Sequence, residues 1–421
     1  MENARPFRSS WILLVAGLIW LVLGFSMLVL QAWVQRGAWS FGSDRGGDLK
    51  QHYAVGVMLQ NSSGNYTPLY RNFVFSKEIT RIFSQDLYTE SLYLDRHNYR
   101  YSPLIAWISW KLLALPYGLW VKVWGVLSIA WAVAGFVLIR KAETGVGEVP
   151  PTFLEAVLFL GFPPLLYGFS IFQNAPLTLF MAAAAAWLLK NRHAWIAGFV
   201  FGSICYKPQL LPYIAGIMLL CGQWRFAIGT GLASGFWLGM GLLLCGAEAH
   251  RHWLESLLEI VHGLQGDEME TNMPWKGFIL TVLPENFHSS GLMMTHILGL
   301  LSLGLLVFFA HRIEKHSQWR PHHIFYLALL WWLLFTPHVK AYELVLALPA
   351  MMLLFRMTSP HQTMARAALA LFYISGFAVV SCRFVGFSPG APLVTGAFLM
   401  TLSVLSRGLE GSLSPNKISS Q

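Results

Sequence analysis

Long apolar runs separated by short polar stretches make up most of the chain. The first, from Trp11 to Val34, holds no charged residue. Comparable runs follow at 117–139, 152–170, 174–190, 194–206, 209–221 and 227–245. After a polar gap come 293–311, 322–336, 341–356, 364–381 and 390–406. A crossing helix needs roughly 17–25 residues, and shorter spans are tolerated inside a bundle. The pattern therefore predicts an all-α polytopic membrane protein with about twelve transmembrane helices. Residues 1–406 form one membrane domain in this reading, and 407–421, ending in SLSPNKISSQ, form a disordered tail.

Charge tests the count. Arg140/Lys141, Lys190/Arg192, Arg225, Arg312/Lys315/Arg320, Arg356/Arg366 and Arg407/Lys417 fall at every second connection. That alternation is the positive-inside rule and assigns those connections to the cytoplasm. Arg5 and Arg8 precede the first run, so both termini are expected there. The first run is too long for a signal-peptide core and is read as an uncleaved anchor. Outer connections are either short or the two long loops 35–116 and 246–292. Within them, PLIAWISWKLLALP (103–116) and HRHWLESLLEIVHGL (250–264) suit helices lying in the headgroup layer.

Composition agrees with this reading. The 421 residues are 55% hydrophobic and 12% charged, with mean hydropathy +0.52. Soluble domains carry about 25% charged residues. The net charge of +9 resides in the short cytoplasmic clusters, so nucleic acid is not an expected partner. Cys205, Cys221, Cys245 and Cys382 lie in or beside apolar runs with no CxxC spacing, which argues against disulfide or metal roles.

The polar residues that interrupt this pattern gather on one side. Asp48 is in the first outer loop. Gln173 and Asn174 (FQNAPL), Lys207 and Gln209 (CYKPQLL), and His338 and Lys340 (FTPHVKAYE) occupy outer turns. Asn272 and Lys276 (TNMPWKGF) lie in the second outer loop. A proline adjoins or nearly adjoins each of these turns. Irregular backbone at membrane depth persists where protein or a watery cavity satisfies it, and polar side chains there are functional candidates. Taken singly, Lys207 could snorkel, Gln173 and Asn174 could cap a turn, and Asp48 could pair with Arg45 or Lys50.

One carboxylate, several cations, a histidine and amides at an outer face suit transfer from a lipid phosphate. A carboxylate can take the proton of an attacking hydroxyl, and cations can stabilise the departing phosphate. No P-loop or DxD pair is present, which disfavours a soluble nucleotide donor. The same parts could build a transporter or flippase of lipid-linked sugars, although no internal repeat is found. An O-antigen ligase or polymerase type of enzyme also remains open.

The ordered set GGDLKQHY, NYTPLY, YRYSPLIA, FQNAPL, YKPQLL and TPHVKAYELVLALP resembles the integral-membrane glycosyltransferases of family 87 over roughly residues 10–360. These belong to the GT-C superfamily and include polyprenol-phosphate-mannose-dependent alpha-mannosyltransferases. The resemblance implies a GT-C-type fold and inverting transfer from a polyprenyl-phosphate sugar donor to a lipid or glycan acceptor. It also implies an active site outside a bacterial inner or plasma membrane, membrane lipids as the other partner, and no metal or other cofactor. Asp48 matches the family's D-x-x-x-Y motif as general base, with Tyr53 one residue beyond the usual spacing. His338 matches a late His after Pro, either sharing the base role or facing the phosphate. Lys207, Arg100 and Lys276 would bind the donor phosphate. Tyr53, Tyr101, Gln173, Asn174, Gln209, Asn272 and Lys340 would contact substrate. The N-G-Q turn is only partly matched by FQNAP, and the N-Q-S motif appears as Asn272-Met273-Pro274.

Four stretches stand outside this scheme. NSS (61–63) and NYT (65–67) match N-glycosylation sequons, triplets that arise often by chance. The close histidines of HRHW (250–253) and PHH (321–323) lack further ligands at zinc spacing, and PHH falls on the cytoplasmic side.

Overall fold

The computed structural model describes residues 47–70, 74–83, 99–143, 153–262, 273–314, 321–336, 338–356, 362–380 and 390–410. The predicted first crossing at 11–34 and most of the predicted tail lie outside them. Every regular element among the described residues is helical. The first outer segment holds α1 (Gly47–Asn61), α2 (Thr67–Tyr70), α3 (Val74–Ile82) and α4 (Pro103–Lys111). Next come α5 (Tyr117–Glu143), α6 (Phe153–Leu160), α7 (Pro163–Ser170), α8 (Ala175–Lys190), α9 (Ala194–Gly202), α10 (Leu210–Leu220) and α11 (Trp224–Cys245). The second outer segment contributes α12 (Ala247–His262) and α13 (Trp275–Val282). The remainder comprises α14 (His288–Glu314), α15 (Pro321–Phe335), a 3-10 turn (Ala341–Ala347), α16 (Leu348–Arg356), α17 (Gln362–Val380) and α18 (Gly390–Glu410).

This is a membrane protein by helix length and composition. Among the described residues, Tyr117–Glu143, Trp224–Cys245, Glu285–His311 and Thr363–Val380 are long and apolar enough to cross a bilayer. Their outer faces are apolar. Leu243 is 83% exposed and Leu300 69%, which suits contact with lipid tails rather than water. The opposite pattern marks the centre. Residues 324–334 of α15 are buried on every face, as expected of a helix enclosed by others.

Two predicted runs are not single α-helices. Run 152–170 breaks into α6 and α7 because Pro163 and Pro164 remove two donors and push Phe162 into extended backbone. Run 341–356 begins as the 3-10 turn and becomes α-helical only at Leu348. The pair α9 and α10, of 9 and 11 residues, is also short for a hydrocarbon core of about 30 Å at about 1.5 Å per residue. α9 packs so closely on α11 that a Cβ on Gly198 would lie 2.1 Å from the Phe226 carbonyl oxygen. Its last residue, Gly202, abuts Thr230 and Ala233, about midway along α11. The Lys207 turn therefore begins partway along the bundle instead of at its rim.

The two outer segments pack on each other. Buried Ala54, Val55, Leu69, Tyr99, Ala249 and Trp253 belong to one apolar cluster. The Trp253 indole donates to the Arg100 carbonyl at 3.2 Å, fixing α12 against the strand of chain that leads into α4.

Candidate functional site

Asp48 sits in the first turn of α1, where the helix dipole favours a negative charge. Its carboxylate accepts a hydrogen bond from the Tyr101 hydroxyl on one oxygen, and the Gln51 amide lies 3.4 Å from the other. Tyr101 precedes Ser102, the residue before Pro103 at the start of α4. Its hydroxyl in turn accepts from the Asn174 amide at 3.3 Å. Burial and the Asp48 charge push the Tyr101 hydroxyl well above the usual phenol range, so it remains protonated and donating. Residues 48, 101 and 174 thus form one hydrogen-bonded chain.

A C-terminal turn of α7 delivers the amides. The Gln173 N–H reaches the Gly168 carbonyl at 2.9 Å and the Phe172 N–H reaches Phe169 at 3.2 Å, a Schellman pattern. Phe172 takes the left-handed position with φ +51°, which glycine occupies more readily, at a cost of about 1–2 kcal/mol. The chain then reverses into α8. Gln173 and Asn174 are both buried, and their side-chain oxygens find no hydrogen-bond partner among the described residues. Buried acceptors of this kind cost about 1–3 kcal/mol each when left unmet. Their place beside Asp48 suits donation by a hydroxyl-bearing ligand.

The opposite wall is an ion pair. The Lys207 ammonium lies 2.9 Å from Glu343 Oε1, with both side chains almost fully buried. The other Glu343 oxygen accepts the Lys340 backbone N–H at 2.9 Å. Tyr342 lies between the two halves. The Lys207 ammonium is 5.2 Å from its ring centroid, and its hydroxyl is within electrostatic reach of Asp48, Arg100 and Glu343. Asp48, Arg100 and Lys207, distant in sequence, therefore all lie within interaction range of one tyrosine. His338 precedes Val339 and Lys340 on the turn that enters this wall. The Met273 N–H donates to the Val339 carbonyl at 2.8 Å, joining the second outer segment to the same turn.

Other predicted residues stand apart. Tyr53 is five positions beyond Asp48, about 140° around the helix at 3.6 residues per turn. Its ring packs on Phe83, Tyr117 and Trp120. Gln209 is exposed at the start of α10. Lys276 is half-buried on α13, where desolvation lowers its pKa. Asn272 lies outside the described residues.

Three residues of this neighbourhood went unassigned in the sequence: His52, Tyr342 and Glu343. His52 occupies the i+4 position from Asp48, one helical turn on, where side chains share a face. Its ring centroid is 4.6 Å from that of Tyr101, and Nδ1 is 2.9 Å from the Tyr99 hydroxyl. Desolvation lowers its pKa to about 4, against the opposing pull of Asp48, so the ring is neutral near pH 7. The signals available were helical spacing for His52 and, for Glu343, an acid inside an apolar run.

A sequence model described as Glycosyltransferase family 87 matches residues 99–337. Two curated relatives each carry the name polyprenol-phosphate-mannose-dependent alpha-(1-2)-phosphatidylinositol pentamannoside mannosyltransferase. The one from Mycolicibacterium smegmatis is 25% identical over 259 residues, covering 57% of this chain and 62% of the relative. That from Mycobacterium tuberculosis is 24% identical over 267 residues, covering 57% and 59%. The chain thus spans about three fifths of the length of the relatives it matches. No solved structure matches it.

Proposed function

The chain belongs to glycosyltransferase family 87, and from that premise we propose that it transfers a sugar, mannose in the first instance, from a polyprenyl-phosphate donor to a hydroxyl of a glycolipid or glycan. The observation that carries this reading is the Asp48–Tyr101–Asn174 hydrogen-bonded chain, with buried amide oxygens at Gln173 and Asn174 that find no partner among the described residues. A carboxylate at a helix N-terminus, next to acceptors suited to sugar hydroxyls, fits general-base transfer. The relatives' names supply the donor class.

In the proposed reaction Asp48 receives the proton of the acceptor hydroxyl as its oxygen attacks the anomeric carbon. The bond to the phosphate oxygen breaks on the opposite face, the configuration inverts, and the polyprenyl phosphate departs with the bond's electron pair. Tyr101 and Asn174 fix the carboxylate and bind sugar hydroxyls. Arg100 and His338, with Lys340 and Lys276 at the margin, supply donors to the leaving phosphate. Lys207 takes a secondary part in this scheme. Glu343 already neutralises it, so it shapes the wall and contributes less free charge to the phosphate.

The reaction is assigned to the outer side of a bacterial inner or plasma membrane. About twelve crossings, cytoplasmic termini and a single domain over 1–406 complete the scheme, with the first outer segment folding over the bundle. The test is transfer by purified protein in vesicles supplied with polyprenyl-phosphate mannose and membrane glycolipid extract. A mannosylated product that requires both components supports the reading. Uptake of lipid-linked sugar without any glycosidic product would replace it with the transporter.

A further inference from the structure

A second cluster of ionisable side chains lies at the far end of α5, away from the site described above. Glu143 ends α5, while His322 and His323 begin α15, so nearly half the chain separates the acid from the imidazoles. His322 Nε2 lies 3.5 Å from Glu143 Oε1, and His323 Nε2 lies 3.6 Å from Glu143 Oε2. Side-chain exposures are 1% for His322, 14% for His323 and 4% for Glu143. One ligand atom from each can be chosen so that all lie within 4.8 Å of one another. Tyr326, one turn into α15, donates its hydroxyl to Glu143 Oε1 at 2.8 Å.

The distances separate two explanations. Imidazole N–H donors bonded to the carboxylate would stand at about 2.7–3.2 Å. Both separations exceed that range, whereas the Tyr326 bond on the same carboxylate falls within it. Tetrahedral coordination with metal–ligand bonds of about 2.0–2.1 Å instead separates neighbouring ligand atoms by about 3.3 Å. Each imidazole stands close to that edge from one carboxylate oxygen, His322 from Oε1 and His323 from Oε2.

We propose that Glu143, His322 and His323 bind a divalent zinc-like cation at the cytoplasmic end of the bundle. Two imidazoles and a carboxylate suit zinc, whereas magnesium and calcium favour oxygen-only ligand sets. Three protein ligands leave the fourth tetrahedral position to a water molecule. Tyr326 orients the ligating carboxylate by donating its hydroxyl to Oε1 from outside the ligand set. A cation there fastens the end of α5 to the start of α15, the enclosed central helix whose other end leads toward His338. The zinc ligand missing from the local PHH sequence is Glu143, supplied from another helix.

The test uses full-length protein in detergent, without an oligohistidine tag, stripped by chelator and then titrated with zinc or cobalt. About one equivalent should bind at micromolar metal. Cobalt should give visible bands of a nitrogen- and oxygen-ligated centre. Zinc, and not magnesium, should raise the melting midpoint of the stripped protein by several degrees. Glu143→Gln and His323→Gln should each lose most of the binding, and Tyr326→Phe should weaken it about 10–100-fold. Wild-type protein binding less than about a tenth of an equivalent under those conditions would overturn the proposal. So would undiminished binding by both the Glu143 and the His323 variants.

Discussion

The site turns on residues that must answer for their burial. Glu343 neutralises Lys207, and removing one partner of such a buried pair leaves an uncompensated charge costing about 3–5 kcal/mol. Glu343→Gln should therefore lower the melting midpoint and the turnover together, while Glu343→Gln combined with Lys207→Met should recover much of the stability. A double variant as unstable as the sum of the single ones would contradict the pairing. His52 makes a different prediction. Its folded pKa of about 4 lies below the ordinary histidine value of 6.5, so between those values the unfolded chain binds more protons. Stability from this group is complete above about pH 6.5 and is lost as pH falls through 4, by up to about 3 kcal/mol. His52→Gln should flatten that part of the stability–pH curve in thermal melts, and an unchanged slope would contradict it. Asn174 stands out in the sequence because it interrupts apolar runs at a turn, Asp48 because it is an acid just past the first apolar run, and Tyr101 only through the family resemblance. Glu343 was harder to find, because its partner is far away in the chain and only folding brings them together.

At the level of elements, proline and glycine decide where helices stop and how closely they approach. Pro163 and Pro164 divide what hydropathy reads as one crossing, since hydropathy does not register a missing donor. Gly198 allows the backbone contact that seats α9 on α11. A methyl there would meet the Phe226 carbonyl oxygen at 2.1 Å, so the helices must separate to accept it. Gly198→Ala should destabilise the protein by about 1–3 kcal/mol, the usual range for overpacking. Gly216, around which a Cβ would meet nothing within 4 Å, provides the control, and Gly216→Ala should be near neutral in the same melts. Equal effects at both positions would remove close packing as the cause. Most helices were legible from apolar run length alone. The helices of the first outer segment, α1 among them, were not, because polar and apolar residues mix there without a long run. Tyr53 shows the consequence. The family motif marked it as a substrate contact, yet one additional residue on a helix carries it 100° further round and into an aromatic cluster.

For the whole molecule, the proposed orientation sets the α1–α4 segment outside and the α8–α9 connection inside. Single cysteines at Asn65 and at Arg192, in a cysteine-free background, should divide accordingly. A membrane-impermeant thiol reagent applied to intact cells should label position 65 and spare position 192 until the membrane is permeabilised. The reverse pattern would invert the topology and remove the outer site. The alternation of Lys and Arg along the sequence predicts the orientation, whereas the recessed position of the Lys207 turn depends on how α9 packs and is not readable there. The central claim is that the carboxylate at the start of α1 takes the acceptor's proton. Its most direct measurement is the turnover of Asp48→Asn against the parent protein, at matched membrane insertion, with polyprenyl-phosphate mannose and an acceptor lipid extract that the parent glycosylates. The account predicts a loss of about 10²–10⁴-fold in rate, the contribution typical of a positioned general base. Retention of the parental rate would contradict it.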